Sequence, residues 1–370
     1  MDYDLIIVGA GLFGATVARI CTDKGFRCLV LERRSKPGGN CMDKEMEGIN
    51  VHLYGPHIFH TSDDKVWSFI RRFTEFNHFR YSPLACYKGK LYNLPFNLHT
   101  FYQLYGITTP EEAERFIKEE RSSFKVSNPS NLEEKAMSLI GKKMYEVLVK
   151  GYTEKQWGRP CRELSSKIIT RLPVRTTFDN NYFNDSYQGI PIGGYTRMIE
   201  KMLAGIDVRC KVDYLEDKFI WNKLGRKIVY TGSIDELFDY RFGCLDYRSL
   251  EWKIKLFDIP DKQGVAVINY TDSETPFTRI IEHKHFTFGR QMHTIISEEY
   301  PLQWKRGVEP YYPIRDTQNI SLYKRYEEFG KNTCPQFIFG GRLGLYEYLD
   351  MDKTVQRAMM IADSVIKDYS

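Results

Sequence analysis

Three arginines and several tyrosines in the middle of the chain are the side chains best suited to chemistry. Arg171 and Arg175 lie in the segment RLPVRTTFDNNY (171–182), and Arg279 follows later in the segment TRI. A guanidinium group presents a planar fork of donors that matches phosphate oxygens. A single arginine usually makes a surface salt bridge. For three arginines with tyrosines nearby, a diphosphate-binding site and surface salt bridges remain equal alternatives.

Other residue patterns say little about acid–base or metal chemistry. The segment GYTEKQWG (151–158) is too polar for a core and too aromatic for an ordinary loop. We find no catalytic triad and no paired-carboxylate motif. His57 and His60 form an HxxH pair without a further ligand motif, and the eight cysteines form no CxxC. We therefore expect neither a metal site nor a disulfide framework.

The N-terminus carries the pattern of a nucleotide-binding βαβ unit. An apolar run leads into GAGLFG, in which Gly9 permits a tight turn, Gly11 lets the backbone approach a pyrophosphate, and Gly14 lets a helix pack closely on the strand. A second apolar run, 28–31, ends in Glu32, which can accept hydrogen bonds from ribose hydroxyls. Strand, glycines, helix, strand and acid in this order predict a dinucleotide site, with a merely glycine-rich turn as the alternative.

Two further glycine clusters indicate which dinucleotide binds. PGGN (37–40) follows the ribose acid, and GGR (340–342) follows a late apolar run. A paired glycine just after the acid is typical of FAD proteins, whose site is often completed by C-terminal chain. The alternative is two ordinary turns. We find no second GxGxxG after a strand, so a separate NAD(P)H domain is not expected.

These patterns predict an α/β fold: an interrupted Rossmann-like FAD-binding domain with an inserted helical domain and an antiparallel β-sheet domain. Helix signals include the cap at Asp63, Pro110 in a first turn, and Asn131 before a helix expected to reach about Lys150. We expect the FAD-binding domain in 1–76, 181–224 and 316–370, the helical domain with substrate and lid residues in 77–180, and the antiparallel sheet domain in 225–315.

Composition limits the class of protein. The chain has 370 residues, 27% of them charged and 42% hydrophobic, with a net charge of +5. Such values are ordinary for a globular protein, and the charge is too small to indicate nucleic-acid binding. No apolar stretch approaches the roughly 18 residues that span a bilayer, and the first residues carry no basic signal region. We expect a cytoplasmic protein without a membrane span.

The whole chain resembles the UDP-galactopyranose mutase family of flavoenzymes. The resemblance rests on long motifs in order: GAGLFG, YGPHIFHT, NLPFN, GYTEKQWG, RLPVR, FDNNYF, YQGIPIGGYT, RIIEH, EPYYP and GGRLGLYEYLDM. It implies an isomerase that interconverts UDP-galactopyranose and UDP-galactofuranose on reduced FAD, through an adduct between flavin N5 and the sugar. It also implies a role in supplying galactofuranose for cell-surface polysaccharide.

The resemblance implies a role for each matching site residue. Arg171 and Arg279 would clamp the two phosphates, and His60 would lie near the flavin ring and the sugar. The other substrate-binding positions are Tyr81, Leu148, Tyr152, Thr153, Trp157, Tyr182, Asn269, Tyr312 and Tyr348. The cofactor-binding positions are Gly9, Gly11, Phe13, Gly14, Glu32, Arg33, Gly38, Gly39, Asn40, His57, Ile58, Asp213, Tyr214, Gly341, Arg342, Leu349, Asp350, Met351, Asp352, Lys353 and Thr354.

Two departures from the family pattern concern the substrate. Leu148 and Val149 occupy positions where the family often has an aromatic pair, one member of which stacks on uracil. Stacking on an aromatic ring contributes about 1–3 kcal/mol per base, so the base should be held less firmly here. Tyr81 stands where familiar members have asparagine, which changes one polar contact.

The resemblance also implies partners, and we separately hypothesise a moving segment. We expect UDP-galactose and UDP-galactofuranose as ligands, an external reductant such as NAD(P)H or a flavin reductase, no nucleic acid, and a homodimer. The segment from Pro160 to Ile169 is a candidate lid. Two other functions fit part of the pattern: an FAD oxidoreductase of the amine-oxidase kind, and a noncatalytic protein that binds a nucleotide sugar or flavin.

Overall fold

The computed structural model describes residues 1–123, 126, 128–169 and 173–369. The strands are β1 (Tyr3–Val8), β2 (Cys28–Glu32), β3 (Asp43–Met46), β4 (Ile49–His52), β5 (Phe59–Thr61), β6 (Leu84–Tyr87), β7 (Lys90–Asn93), β8 (Tyr187–Gly189), β9 (Asp207–Cys210), β10 (Gly225–Tyr230), β11 (Tyr247–Phe257), β12 (Val267–Tyr270), β13 (Arg279–Glu282), β14 (Thr294–Gln303), β15 (Tyr312–Pro313) and β16 (Phe337–Phe339). The helices are α1 (Leu12–Asp23), α2 (Asp64–Ile70), α3 (Leu98–Tyr105), α4 (Pro110–Ser123), α5 (Leu132–Ile140), α6 (Lys142–Tyr145), α7 (Gly151–Trp157), α8 (Tyr195–Met202), α9 (Lys218–Leu224), α10 (Ile234–Leu237), α11 (Thr317–Thr333), α12 (Gly341–Gly344) and α13 (Met351–Tyr369).

A five-stranded parallel sheet forms the dinucleotide-binding part, in the order β16-β10-β1-β2-β9. Both of its faces are covered, which explains why β2 is buried at every residue. Leu5 and Ile7 of β1 pack into the core that contains α1 and α13, whereas Ile6 packs into a separate core on the opposite face. The α/β fold with a Rossmann-like sheet is confirmed.

A seven-stranded mixed sheet forms the second layer, in the order β15-β11-β14-β13-β12-β6-β7. Its pairs are antiparallel except β12 with β6. In this sheet Arg279 lies opposite Asn269 on one side and opposite Glu299 on the other. Residues directly opposite one another in a sheet share a face, so these three side chains form one row.

A helical part, α3 to α7, has a core of its own that includes Phe96 and Leu132. As expected, Asn131 caps α5, its side chain accepting a hydrogen bond from the amide of Glu134 at 3.0 Å. The predicted single helix is interrupted, however, because Gly141 ends α5 at a positive φ of 77°. A π-helical turn, Glu146–Lys150, then leads into α7.

Two sets of strands lie outside their expected domains. We expected the antiparallel sheet to begin at 225, but β10 joins the parallel sheet beside β1, since Ile228, Val229 and Tyr230 are all buried. Strands β6 and β7 come from the stretch expected to be helical and extend the mixed sheet. None of the helices in the described ranges is long and apolar enough to cross a membrane.

Candidate cofactor and substrate site

A cavity opens where β1, β2 and β10 of the parallel sheet end. Parallel α/β sheets bind ligands at this edge. Most of the predicted cofactor residues line the cavity: Gly9, Gly11, Phe13, Gly14, Glu32, Arg33, Gly38, Gly39, Asn40, His57, Asp213, Tyr214, Gly341, Arg342, Met351 and Thr354. Residues from three distant parts of the chain therefore meet at one place, as the glycine clusters indicated.

Two glycines of this cavity have no room for a side chain. A Cβ on Gly39 would lie 2.8 Å from the Cα of Gly11, and a Cβ on Gly14 would lie 2.0 Å from the carbonyl oxygen of Gly9. Gly11 and Gly38 form a short parallel bridge that brings the two glycine turns together in front of α1. Such a backbone cradle at a helix N-terminus suits a pyrophosphate.

Glu32 is fixed at the cavity by the backbone. Its side chain is 5% exposed, and its two oxygens accept hydrogen bonds from the amides of Ala10 at 2.8 Å and Arg34 at 2.9 Å. Each oxygen keeps a further lone pair for a ribose hydroxyl. The cradle and the carboxylate together fit the pyrophosphate and a ribose of a dinucleotide.

Beside Glu32, Glu309 accepts hydrogen bonds from Arg33 at 2.7 Å and from Arg34 at 2.9 Å. Glu309 lines the cavity together with Thr231 and Glu236. Sequence reasoning did not name these three as cofactor residues. For Thr231 the signal available was the buried run of β10, because the residue directly after a parallel strand reaches the same edge of the sheet.

The two histidines of the HxxH pair have different surroundings. His57 lines the cofactor cavity, its Nδ1 lies 2.8 Å from the carbonyl oxygen of Gly55, and burial lowers its pKa to about 3. His57 is therefore neutral. His60 does not line the cavity: its Nδ1 lies 2.7 Å from Asp185 Oδ2, and its ring stacks on Phe183 at 3.7 Å between centroids.

Some predicted cofactor residues also stand apart from the cavity lining. Ile58 and Leu349 are buried in the structure, and the side chain of Lys353 is 54% exposed beside Asp352. Asp350 is outside the lining as well. The one metal-competent cluster of three or more ligands in the described ranges is Asp261, Glu282 and His285, which does not include the HxxH pair.

Arg279 is the central charge of the substrate candidates. Its Nε lies 2.9 Å from Glu299 Oε2, too poorly aligned for a hydrogen bond, so the contact is electrostatic. Glu299 is completely buried and also accepts a hydrogen bond from Thr278 Oγ1. Burial opposes the charge on Arg279, but Glu299 and the neighbouring tyrosines together outweigh burial and hold the pKa of the guanidinium above its ordinary value.

Tyrosines surround Arg279. Tyr81, Tyr152 and Tyr312 are close enough to act on its charge. Burial raises the pKa of Tyr152 to about 12 and raises the pKa values of the other two as well. All three are therefore neutral phenols that can donate hydrogen bonds to an anion.

The remaining aromatic candidates extend this group. Ring centroids lie 5.3 Å apart in Tyr81–Tyr182, 5.8 Å in Tyr312–Tyr348 and 6.2 Å in Trp157–Tyr312. The guanidinium carbon of Arg342, which lines the cofactor cavity, lies 4.6 Å from the centre of the Tyr348 ring. The arginine–tyrosine cluster and the cofactor cavity are thus neighbours.

Other substrate candidates are placed differently. Leu148 and Val149 are 4% and 3% exposed, within the core of the helical part, and Thr153 is 7% exposed. Arg171 lies outside the described residues. The candidate lid, 160–169, is packed down through its buried Cys161, Leu164 and Ile169, so any movement would have to break that packing.

Comparison with known proteins decides the family. The profile of the UDP-galactopyranose mutase family matches residues 147–348, and that of an NAD(P)-binding Rossmann-like domain matches residues 7–73. A probable UDP-galactopyranose mutase of Klebsiella pneumoniae is 37% identical, over 99% of this chain and 96% of its own. The chain belongs to the UDP-galactopyranose mutase family. It is therefore an isomerase.

Other relatives show the breadth of this family and of its fold. A dTDP-fucopyranose mutase of Escherichia coli is 34% identical over 98% of both chains. A crystal structure of a reduced UDP-galactopyranose mutase superposes with a TM-score of 0.75 at 13% identity, covering 99% of this chain and 96% of that one. A putrescine oxidase bound to putrescine superposes with a TM-score of 0.57 at 11% identity, covering 99% of both chains. An oxidase thus shares the fold, so the function has to be argued from the arginine–tyrosine cluster and not from the fold.

Proposed function

We propose that this member of the UDP-galactopyranose mutase family interconverts UDP-galactopyranose and UDP-galactofuranose. The observation that carries the proposal is the partly buried Arg279 surrounded by neutral tyrosines beside the cofactor cavity. A guanidinium and phenolic donors suit the diphosphate of a nucleotide sugar, whereas an amine substrate would be repelled by the same positive charge.

FAD is the proposed cofactor, in its reduced form. The cradle of Gly11, Gly14 and Gly39 would hold its pyrophosphate and Glu32 its ribose, with His57 and Arg342 further along the cavity. When bound and reduced, FAD supplies a nucleophilic nitrogen for the anomeric carbon of the sugar. The reaction then needs no net electron transfer.

The protein's own residues act on the diphosphate. Arg279 and the hydroxyls of Tyr152 and Tyr312 would bind it, stabilise the negative charge that develops as it leaves the sugar, and hold it for return. Arg171 is proposed as the second arginine of this clamp. His57, held neutral by burial, would line the cofactor cavity without adding a charge there.

A second candidate substrate is dTDP-fucopyranose. It is favoured by the Escherichia coli relative, which is 34% identical over 98% of both chains. A thymine base carries an additional methyl group, and fucose lacks the 6-hydroxyl of galactose. The two candidate substrates therefore differ in both the base and the sugar.

The experiment incubates the FAD-loaded protein with UDP-galactofuranose and with dTDP-fucofuranose, with and without dithionite, and separates the products by chromatography. We expect UDP-galactopyranose, formed only after reduction. Faster conversion of dTDP-fucofuranose would move the assignment to the second candidate. Oxidation of an amine without sugar conversion would establish the oxidase alternative, and UDP binding without turnover would establish a noncatalytic protein.

The cellular setting is proposed from the motif resemblance alone. We propose a cytoplasmic homodimer, reduced by NAD(P)H or a flavin reductase, whose product supplies galactofuranose for cell-surface polysaccharide. Sedimentation velocity of the FAD-loaded protein tests the dimer. Anaerobic bleaching of the flavin absorbance on addition of NADPH or NADH tests direct reduction.

A further inference from the structure

A lysine on α7 makes three hydrogen bonds to a single loop of the mixed sheet. The Nζ of Lys155 donates to the carbonyl oxygens of Tyr270 at 2.9 Å, Thr275 at 2.9 Å and Phe277 at 3.0 Å. All three carbonyls belong to the end of β12 and its connection to β13. An ammonium group has three N–H donors, so every donor of Lys155 is satisfied within the protein.

An arginine from the sheet makes the reciprocal contact. Arg248 on β11 is 4% exposed and donates from Nε to the carbonyl oxygen of Gln156 at 2.9 Å, and from Nη2 to that of Lys155 at 3.3 Å. These carbonyls lie in the last turn of α7, where cations are favourable. A Cβ on Gly158 would lie 2.7 Å from Nη1 of Arg248, which explains why a glycine ends the helix there.

The start of α7 is also pressed against the same loop. A Cβ on Gly151 would lie 2.4 Å from the carbonyl oxygen of Thr271. The hydroxyl of Thr271 donates to the carbonyl oxygen of Val147 at 2.7 Å. Both ends of the short helix, and its middle through Lys155, are thus attached to the mixed sheet.

The two attached elements carry the two walls of the proposed substrate cleft. Helix α7 carries Tyr152 and Trp157, and the strands on either side of the loop carry Asn269 and Arg279. We infer that Lys155 is a positioning residue that sets the spacing of these walls and thereby the affinity for the nucleotide diphosphate. The inference rests on the proposed function of the cleft, and the three carbonyl contacts leave Lys155 no proton with which to touch the substrate.

Lys155 also responds to pH. Burial lowers its pKa to about 8, against the opposing influence of the carboxylate of Asp272, the charged group that acts on it. Below this pH the ammonium holds all three carbonyls. A neutral amine has only two N–H donors, so we expect UDP affinity to weaken as the pH rises through the pKa of Lys155.

The test measures the dissociation constant of UDP by calorimetry on the FAD-loaded full-length protein from about pH 7 to about pH 9. The variants are K155M, K155R, and K150M as a matched control, since Lys150 is exposed one turn earlier. K155M should bind UDP about tenfold more weakly at neutral pH, as expected for a misplaced cleft wall, with a flat profile through pH 8. K150M should behave as the wild type.

K155R keeps a charge but presents a planar fork that cannot meet three converging carbonyls, and arginine does not titrate in this range. K155R should therefore bind UDP more weakly than the wild type, and its UDP affinity should not change near pH 8. This variant provides a test even if K155M does not fold. Equal UDP affinity and an unchanged pH profile in the Lys155 variants would overturn the inference. Failure of the wild type to bind UDP would instead overturn the proposed function of the cleft.

Discussion

The ion pair of Arg279 and the fully buried Glu299 should contribute measurably to the stability of the fold. Glu299→Gln keeps the volume of the side chain and an oxygen for Thr278, but removes the charge that faces Arg279 at 2.9 Å. Removing one partner of a buried ion pair costs about 3–5 kcal/mol. Because the Arg279 side chain is 16% exposed, we expect the free energy of unfolding to fall by the lower end of this range, about 3 kcal/mol.

The assay is urea unfolding of the FAD-loaded protein with and without UDP. The diphosphate of UDP can replace the missing negative charge beside Arg279, so UDP should stabilise E299Q more than it stabilises the wild type. The control is E251Q, which removes an exposed carboxylate from β11 of the same sheet. If E299Q unfolds at the same urea concentration as E251Q, the charge of Glu299 does not stabilise Arg279 and this reasoning is wrong.

Two further predictions concern the cofactor and pH. Gly39→Ala should lose FAD, because the added Cβ would lie 2.8 Å from Gly11 Cα. The control is Gly48→Ala, which is also at positive φ but has open space around it and should retain FAD. The measurement is the flavin absorbance per protein molecule. Contact with Glu282 raises the pKa of His285 above its ordinary 6.5. The stabilisation from charged His285 is complete below pH 6.5 and is lost as the pH rises through the raised pKa. His285→Asn should therefore flatten the decline of the unfolding free energy that urea titrations measure above pH 6.5, and an unchanged decline would exclude His285 as its source.

The nucleotide cradle was the part of the site most accessible from the sequence. Gly9, Gly11 and Gly14 act through the local backbone, so their spacing alone predicts the turn and the helix start. The contribution of Gly341 and Arg342 could be anticipated because a glycine cluster follows an apolar run. Lys353 shows the limit of such reasoning, since neighbours along the final helix point in different directions.

The surroundings of Arg279 could not be predicted in the same way. Glu299 reaches it through the pairing of β13 with β14, and that register depends on the whole mixed sheet. Strand β10 was assigned to the wrong sheet for a related reason: a short buried run has the same appearance in either sheet. His60 and His57 are three residues apart, yet only the fold shows which of them faces the cavity.

The most direct test of the central claim counts product formed per electron supplied. The FAD-loaded protein is reduced once under anaerobic conditions, excess reductant is removed, and UDP-galactofuranose is added. We predict that each enzyme molecule forms many molecules of UDP-galactopyranose while the flavin stays reduced, because the reaction transfers no net electrons. Product formation that stops after one turnover with reoxidised flavin, or no product from a fully reduced enzyme, would contradict the account.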